Sequence, residues 1–425
     1  MSTNRRNFLQ AAVTGGLAAA LPFKTHASGN PGYPARDSSG RPDYSRLDEA
    51  AARPVFKKEL FTSPVIIDSI ELLQYKDTFL CRVRSRDGAV GISVANSLQM
   101  RYLYPIFVHR IQPFFLNKDA RDLEKLIEGV YVYDSNYKLQ NLSLWVPLAT
   151  LEFAILDMMG RIANRSMGQL IGEIHNTKIN VYQANSERYI TPEETIDHLK
   201  QQLSESGAKA IKFKLGGRMN HIETPPDRSA RLIPMVRKTF GDSMVISADA
   251  NGSYGVPEAI KIGKIMQEYA YDFYEEPVPF DWYEETMEVA KALKIPIAGG
   301  EQEPSVHNFR WLIGNSALKV VQQDMFYFGG MVRSMKVARM AQAQGILCTP
   351  HITGDGFGYV YMMHFISAIP NAGRYHEFKD LSKDLPFECK TSSIHSENGV
   401  VTVPSGPGLG VDIDPGYIAK HTVVK

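Results

Sequence analysis

The sequence predicts a two-part α/β protein: a small α+β unit followed by a barrel of parallel strands alternating with helices. Three observations carry that expectation. Between residues 179 and 378, eight short apolar runs alternate with amphipathic stretches of helical period. Three of those runs close on a carboxylate, and Asp249, Glu275 and Glu301 follow one another at intervals of 26 residues. A strand, its loop and its return helix occupy roughly 30 residues, so equal spacing sets these acids at the same end of adjacent parallel strands. Finally, the residues before 179 alternate as strands and then turn helical without repeating the barrel's period.

Taken in order, the chain opens on a segment that reads as a twin-arginine export leader, residues 1–27. Asn4-Arg5-Arg6-Asn7-Phe8-Leu9 carries the basic signature, an apolar run from Ala11 to Leu21 follows, and Ala27 is a small residue at a cleavage position. The run is too short to span a bilayer, so the expectation is a periplasmic protein with no membrane span. Residues 28–60, rich in Pro, Gly and Ser, form an irregular arm. Across all 425 residues, 44% are hydrophobic, 22% are charged and the formal charge is +1. That balance excludes a disordered chain and offers no basic surface for nucleic acid. Cys81, Cys348 and Cys389 are an odd count without paired spacing, which argues against a disulfide framework.

Residues 61–178 form the α+β unit. Ile66–Leu72 and Thr78–Arg84 alternate as strands, and Arg86-Asp87-Gly88 turns into a third at Val90–Val94. Helical periodicity then runs from Tyr102 to Gly129 and from Trp145 to Ile171. Barrel strands are expected at 179–184, 209–215, 244–250, 271–276, 295–299, 318–324, 346–350 and 373–378. Gly356–Pro370 is an apolar helix before the last of them. Residues 379–425 lose the period and are expected to return to the first unit.

In barrels of this kind the chemistry sits at the carboxyl ends of the strands. Those ends carry Lys212 and Lys214, then the three acids, then Asp324, His351 and Glu377. The later steps are 23, 27 and 26 residues, which keeps the phase. Three carboxylates meeting at one rim repel one another unless a hard divalent cation lies between them, and the expected ion is Mg²⁺. Lys212 and Lys214 are one residue apart and share a strand face. Neighbouring ammonium charge and desolvation are expected to lower the basicity of Lys214 enough for it to act as a base. Asp324 and His351 lie on neighbouring strands, where a carboxylate–imidazole bond would fix the tautomer. Glu377, kept protonated beside the other acids, is expected to donate a hydrogen bond to a developing oxyanion. Glu276 and His376 would point to the opposite strand face. Together these groups suit removal of a proton α to a carboxylate, with positive charge from the cation and Lys212 where negative charge develops.

The same residues resemble the enolase superfamily, and within it the mandelate racemase and muconate lactonizing enzyme group. Lys212-Phe213-Lys214 resembles that group's Lys-x-Lys motif. Asp249-Ala250-Asn251, Glu275-Glu276-Pro277 and Gly299-Gly300-Glu301 resemble its three metal-ligand motifs. Asp324 with His351 resembles its His–Asp dyad, Glu377 the acid on its last strand, and Leu151–Arg161 the helix closing its capping domain. The resemblance implies a modified TIM barrel, (β/α)₇β, with an N-terminal α+β capping domain, Mg²⁺ dependence and a homo-oligomer. One departure stands out: the loop from Gly91 to Tyr102 lacks the Gly-x-Gly-Glu-like pattern common there.

The expected function is dehydration of an acid sugar, a small-molecule carboxylate, with Lys214 or His351 taking the α-proton and His351 assisting loss of the β-hydroxyl. Racemisation or epimerisation by Lys214 and His351 as opposed bases is the alternative enzyme. A periplasmic protein that only binds sugar acids is the non-catalytic one, and it would need no opposed bases.

Overall fold

Short strands place the site, and long helices hold those strands in phase. The computed structural model describes residues 42–353, 356–379, 381 and 385–425. The expected leader, residues 1–27, and the arm before Pro42 lie outside the described residues. All described residues belong to one compact unit.

The first sheet is an antiparallel meander of β1 (Ile67–Tyr75), β2 (Thr78–Ser85) and β3 (Val90–Val94). The helical stretch after it is broken. A helix at Ser97–Ile106 contains Pro105, a wider π-type turn covers Phe107–Ile111, and a short helix at Gln112–Phe115 contains Pro113. Proline removes one ladder donor and crowds the preceding turn, and the wider turn lies between the two prolines while the run stays helical from Ser97 to Phe115. The break comes after it, where Leu116 turns out of the helix at ψ 138° and Asn117 takes φ 61°. The Asn141–Ala163 helix is apolar on all sides. It is long and apolar enough to cross a membrane, but 89% of its apolar window is buried inside the fold, which makes it a core helix. From it Glu152 reaches the barrel, where its Oε1 accepts the N–H groups of Met331 at 2.6 Å and Val332 at 3.0 Å. A carboxylate there satisfies two donors that open the Met331–Ala343 helix.

The second sheet is the barrel. Its strands are β4 (Lys178–Ala184), β5 (Ala210–Lys214), β6 (Val245–Asp249), β7 (Tyr274–Glu275), β8 (Ile297–Gly299), β9 (Val320–Val321), β10 (Leu347–Cys348) and β11 (His376–Glu377). Each pairs in parallel with the next from β4 to β10. β11 pairs in parallel with β4, and a parallel bridge from Cys348 to Ala372 closes the circle. Seven helices connect the eight strands, the last at Gly358–Ser367, so the barrel is (β/α)₇β beneath an N-terminal cap. Local chemistry sets the helix starts. Thr191 and Glu194 form a reciprocal cap at 3.1 and 2.8 Å around Pro192.

Beyond β11 the chain forms β12 (Phe387–Glu388), β13 (Val400–Thr402), β14 (Asp412–Ile413) and β15 (Thr422–Val423). β15 pairs antiparallel with β1, while β13 pairs antiparallel with β4. The carboxyl-terminal segment therefore stitches both sheets rather than the first alone.

Two barrel histidines are buried in neutral form. His364 Nε2 donates to the Leu409 carbonyl at 2.8 Å and His376 Nε2 to that of Gly373 at 3.0 Å. Burial pushes both down to about 4. Because the unfolded chain binds these protons near pH 6.5, stability is full above that value and falls as pH drops toward 4. Each histidine is expected to remove about 2 kcal/mol of unfolding free energy between pH 8 and pH 5. Urea unfolding of the parent and of His364→Gln across that range checks this: the variant should show a visibly shallower loss on acidification.

Candidate active site

Register brings the strand-end residues together. Lys214 lies opposite Asp249, and Asp249 opposite Glu275, in adjacent parallel strands. Glu301 sits two residues past β8. Gly300, at φ +105°, turns the chain there, and a Cβ on it would meet the Phe309 ring at 2.5 Å, so a larger residue does not fit. Asp249, Glu275 and Glu301 are all buried, with one oxygen from each lying within 4.8 Å of the others.

Glu301 lines a cavity of about 480 Å³ together with Lys212, Lys214, His351 and Glu377 among others, and Asp249 and Glu275 lie behind its two lysines. A cleft of about 550 Å³ lies elsewhere, beside the Ser45–Ala52 helix and Trp145. It contains none of the strand-end groups; Arg310 pairs there with Asp48 and Lys336 with Glu128, while Arg333 donates to the carbonyls of Phe328 and Pro304 and Glu124 accepts the N–H groups of Val55 and Phe56.

Each cation in the cavity floor meets a carboxylate. The Lys212 ammonium lies 2.8 Å from Glu275 and 3.6 Å from Glu377. Lys214 pairs with Asp249 and donates to Asn251 Oδ1 at 3.1 Å. His351 Nδ1 meets Asp324 Oδ2 at 2.8 Å, and its Nε2 lies 3.6 Å from Glu301. Asp324 is itself fixed. Its Oδ1 accepts the N–H groups of Phe326 and Tyr327 at 2.8 and 2.9 Å, and its Oδ2 accepts the Thr353 hydroxyl at 2.6 Å. Burial opposes the imidazolium of His351, but Glu301 and Asp324 outweigh it and push His351 up to about 10.

Three expectations change. Lys214 does not lose basicity: burial and Lys212 disfavour its ammonium, yet Asp249 outweighs them and holds it above the ordinary lysine value. Glu377 is not held protonated. Burial opposes its charge, but Lys212 and His351 prevail and keep the carboxylate well below the usual range. The hydroxyls of Tyr182 and Tyr359 each reach it at 3.3 Å, so Glu377 is an acceptor. Glu276 does not face away. Its φ of +39° breaks the strand alternation and returns its side chain to the cavity, whereas His376 stays outside, bonded to Gly373.

The acid cluster suits a hard divalent cation. All three donors are carboxylate oxygens, and burial together with Asp249 pushes Glu275 up to about 7, the signature of anionic charge awaiting compensation. Glu276 is buried beside them with Oε1 unpartnered.

Several contributors carry no signal of period or motif. Gln322 Nε2 donates to Glu275 Oε2 at 3.0 Å. Arg228, fully buried, donates to the carbonyls of Ile190, Lys214 and Glu187 at 2.7, 3.0 and 3.3 Å and to Thr195 Oγ1 at 3.0 Å. It thereby ties the end of β5 to the loop after β4. From the cap, Asn96 donates to the Thr353 carbonyl at 3.2 Å and Gln99 to the Tyr327 hydroxyl at 3.3 Å.

Fold and strand-end cluster together define a capped (β/α)₇β barrel with an acid triad at its mouth. The chain belongs to the enolase C-terminal domain-like family, whose family model matches residues 194–417. It is similar to the arabinonate dehydratase of Saccharolobus solfataricus, 24% identical over 80% of this chain and 89% of that one. It is also similar to the D-galactarolactone cycloisomerase of Agrobacterium fabrum, 26% identical over 71% of this chain and 80% of that one. Among solved structures, a mandelate racemase/muconate lactonizing protein from Paracoccus denitrificans PD1222, complexed with magnesium, superposes with a TM-score of 0.76. It is 22% identical and the match covers 85% of this chain and 99% of that chain.

Replacing Arg228 tests the scaffold of this rim. Arg228→Met strips buried carbonyls of their donor, each worth about 1–3 kcal/mol when left unpaired. Chemical denaturation should show a loss of at least about 2 kcal/mol, and a loss indistinguishable from zero would remove Arg228 from this role.

Proposed function

We propose that this chain is a Mg²⁺-dependent dehydratase of an acid sugar, removing the proton α to a carboxylate and expelling the β-hydroxyl as water. One observation carries the reading: two proton carriers, Lys214 from β5 and His351 beyond β10, line one cavity with Glu301, a member of an acid triad whose oxygens lie within 4.8 Å of one another. Asp249, Glu275 and Glu301 would hold the ion, which when bound supplies positive charge beside the substrate carboxylate. The relatedness to an arabinonate dehydratase supports the reaction class.

The side chains divide the work. Lys212, fixed by Glu275 and Glu377, adds a stationary positive charge where negative charge develops. Released from Asp249 and Asn251, Lys214 first gives its ammonium proton to solvent and then, as a neutral amine, accepts the α-proton. His351, its Nδ1 anchored on Asp324, presents Nε2 to the cavity and donates a proton to the departing hydroxyl. One proton leaves carbon and one reaches oxygen, so water departs and the resulting enol becomes a 2-keto acid. Glu377, an acceptor, fixes Lys212 rather than donating to the substrate. We also read the protein as periplasmic, on the Arg5-Arg6 leader alone.

Racemisation or epimerisation is the second reading, and it is favoured by the same pair of carriers arriving from different strands. Incubation with sugar acids in D₂O separates the two. A 2-keto product is expected, while α-deuteration with no loss of water would establish the second reading instead. Lys214→Ala and His351→Asn should each lower turnover on the order of a thousandfold while still binding Mg²⁺ in calorimetry. Asp249→Asn, Glu275→Gln and Glu301→Gln should each weaken Mg²⁺ binding at least tenfold. Unchanged Mg²⁺ affinity in all three would remove the metal site from this position.

A further inference from the structure

Every cation in the floor of the cavity has a carboxylate partner, but two on one side of it do not. Lys212, Lys214, His351 and Lys379 each have a carboxylate partner: Glu275, Asp249, Asp324 and Glu377 respectively. On the side formed by the loops after β4 and β5, two arginines differ. Arg188 is 6% exposed. Its guanidinium donates to the carbonyl of Leu215, to that of Gly216 at 3.4 Å and to Asn251 Oδ1, none of them a carboxylate. Arg218 is exposed and lines the cavity. Among the described residues, no carboxylate lies within ion-pair distance of either one. They also feel each other: burial first, and then the charge of Arg218, pull Arg188 below its ordinary value, against the effect of Asp249.

Arg218 is held in place. Arg218, Met219 and Asn220 are consecutive non-glycine residues at φ 66°, 47° and 60°, in the left-handed region that side chains with a Cβ avoid. Three hydrogen bonds maintain this run. The N–H of Arg218 reaches Ser253 Oγ at 2.8 Å, that of Met219 the Asn251 carbonyl at 2.9 Å, and that of Asn220 the Gly252 carbonyl at 2.9 Å. All three acceptors lie in the loop that follows Asp249. The backbone under Arg218 is thus registered to the acid triad, and Arg188 bonds the same Asn251 from beneath. A solvated surface arginine requires no such fixture, and strained backbone at a mouth persists where the surroundings over-determine it.

An unpaired guanidinium in a pocket wall, with a second buried behind it and also outside any ion pair, focuses positive potential there, and guanidinium favours carboxylate or phosphate. The substrate's reacting carboxylate is already provided for at the triad and Lys212. We propose that Arg218, with Arg188 reinforcing its field, receives a second anionic group, carboxylate or phosphate, at the far end of the substrate. The substrate class is then a sugar acid charged at both ends. This rests on the acid-sugar reading and narrows it.

The test titrates Mg²⁺-loaded protein calorimetrically with a hexarate, the hexonate of matching stereochemistry and its 6-phosphate, and follows 2-keto product from each. At least one doubly charged ligand should bind tenfold or more tighter than the hexonate, with the gap narrowing as salt rises. The ligand with the larger gap identifies the distal group as carboxylate or phosphate. Arg218→Met should erase at least tenfold of that gap with an unchanged thermal midpoint, and Arg218→Lys should retain part of it. Equal or tighter binding of the hexonate, an equal loss for all three ligands in Arg218→Met, or binding of none would overturn the inference. Selective binding with no 2-keto product would sink the dehydratase reading and leave the anion site standing. Product formed without selectivity would do the reverse.

Discussion

Register between short parallel strands is the constraint on which the mouth of this barrel depends. β7, β9, β10 and β11 are two residues long, so the sheet itself holds little of the chain. What fixes it is that Lys214 faces Asp249, Asp249 faces Glu275, and Asp324 bridges His351 across the ladder. A slip of one residue would turn the side chains of a strand to its other face and scatter the acids. The helices and the cap therefore serve the chemistry indirectly, by holding strand ends level. The Glu152 clasp on the Met331–Ala343 helix is one such hold, and Arg228 spanning the loops after β4 and β5 is another.

Burial sets the electrostatics that follow. Six acidic side chains and three basic ones converge on or beneath the floor, and in a low-dielectric setting neither sign tolerates isolation. Lysines answer two of the triad acids and His351 approaches the third, which is why both Lys214 and His351 hold protons more tightly than free side chains do. A cation arriving among Asp249, Glu275 and Glu301 would compete with those lysines for the same oxygens. The triad is thus coupled to Lys214 and His351 through its carboxylates, as Lys214 on Asp249 shows directly.

This division explains what could be read in advance. Barrel strands recur at a nearly constant interval, so residues at their ends fall into phase along the chain, and Asp249, Glu275, Glu301, Asp324, His351 and Glu377 could be found by counting. Ionisation state could not, because it depends on which neighbours come within a few ångströms: Lys214 is governed by Asp249 across the ladder, not by Lys212 two residues away. Side-chain direction was equally hidden at Glu276, where one positive φ reverses the alternation that strand geometry predicts. The wider turn of the cap helix falls between Pro105 and Pro113, which periodicity alone overlooks. Loop contributors such as Arg188 and Arg218 have no period at all, and only their shared contacts with the Asn251–Ser253 loop reveal them.

The contrast between floor and wall completes the physical picture. In the floor the protein supplies carboxylate partners for its fixed cations, as with Lys212 held between Glu275 and Glu377. Where it must recognise something that comes and goes, a partner built into the protein would block the site, so the cation is left without one and positioned through its backbone instead. Arg218 has that form: an exposed guanidinium on a left-handed turn that three hydrogen bonds pin to the loop after Asp249. A site assembled in this way binds an incoming anion without first breaking an ion pair, and it keeps that anion at a set distance from the carbon whose proton is removed.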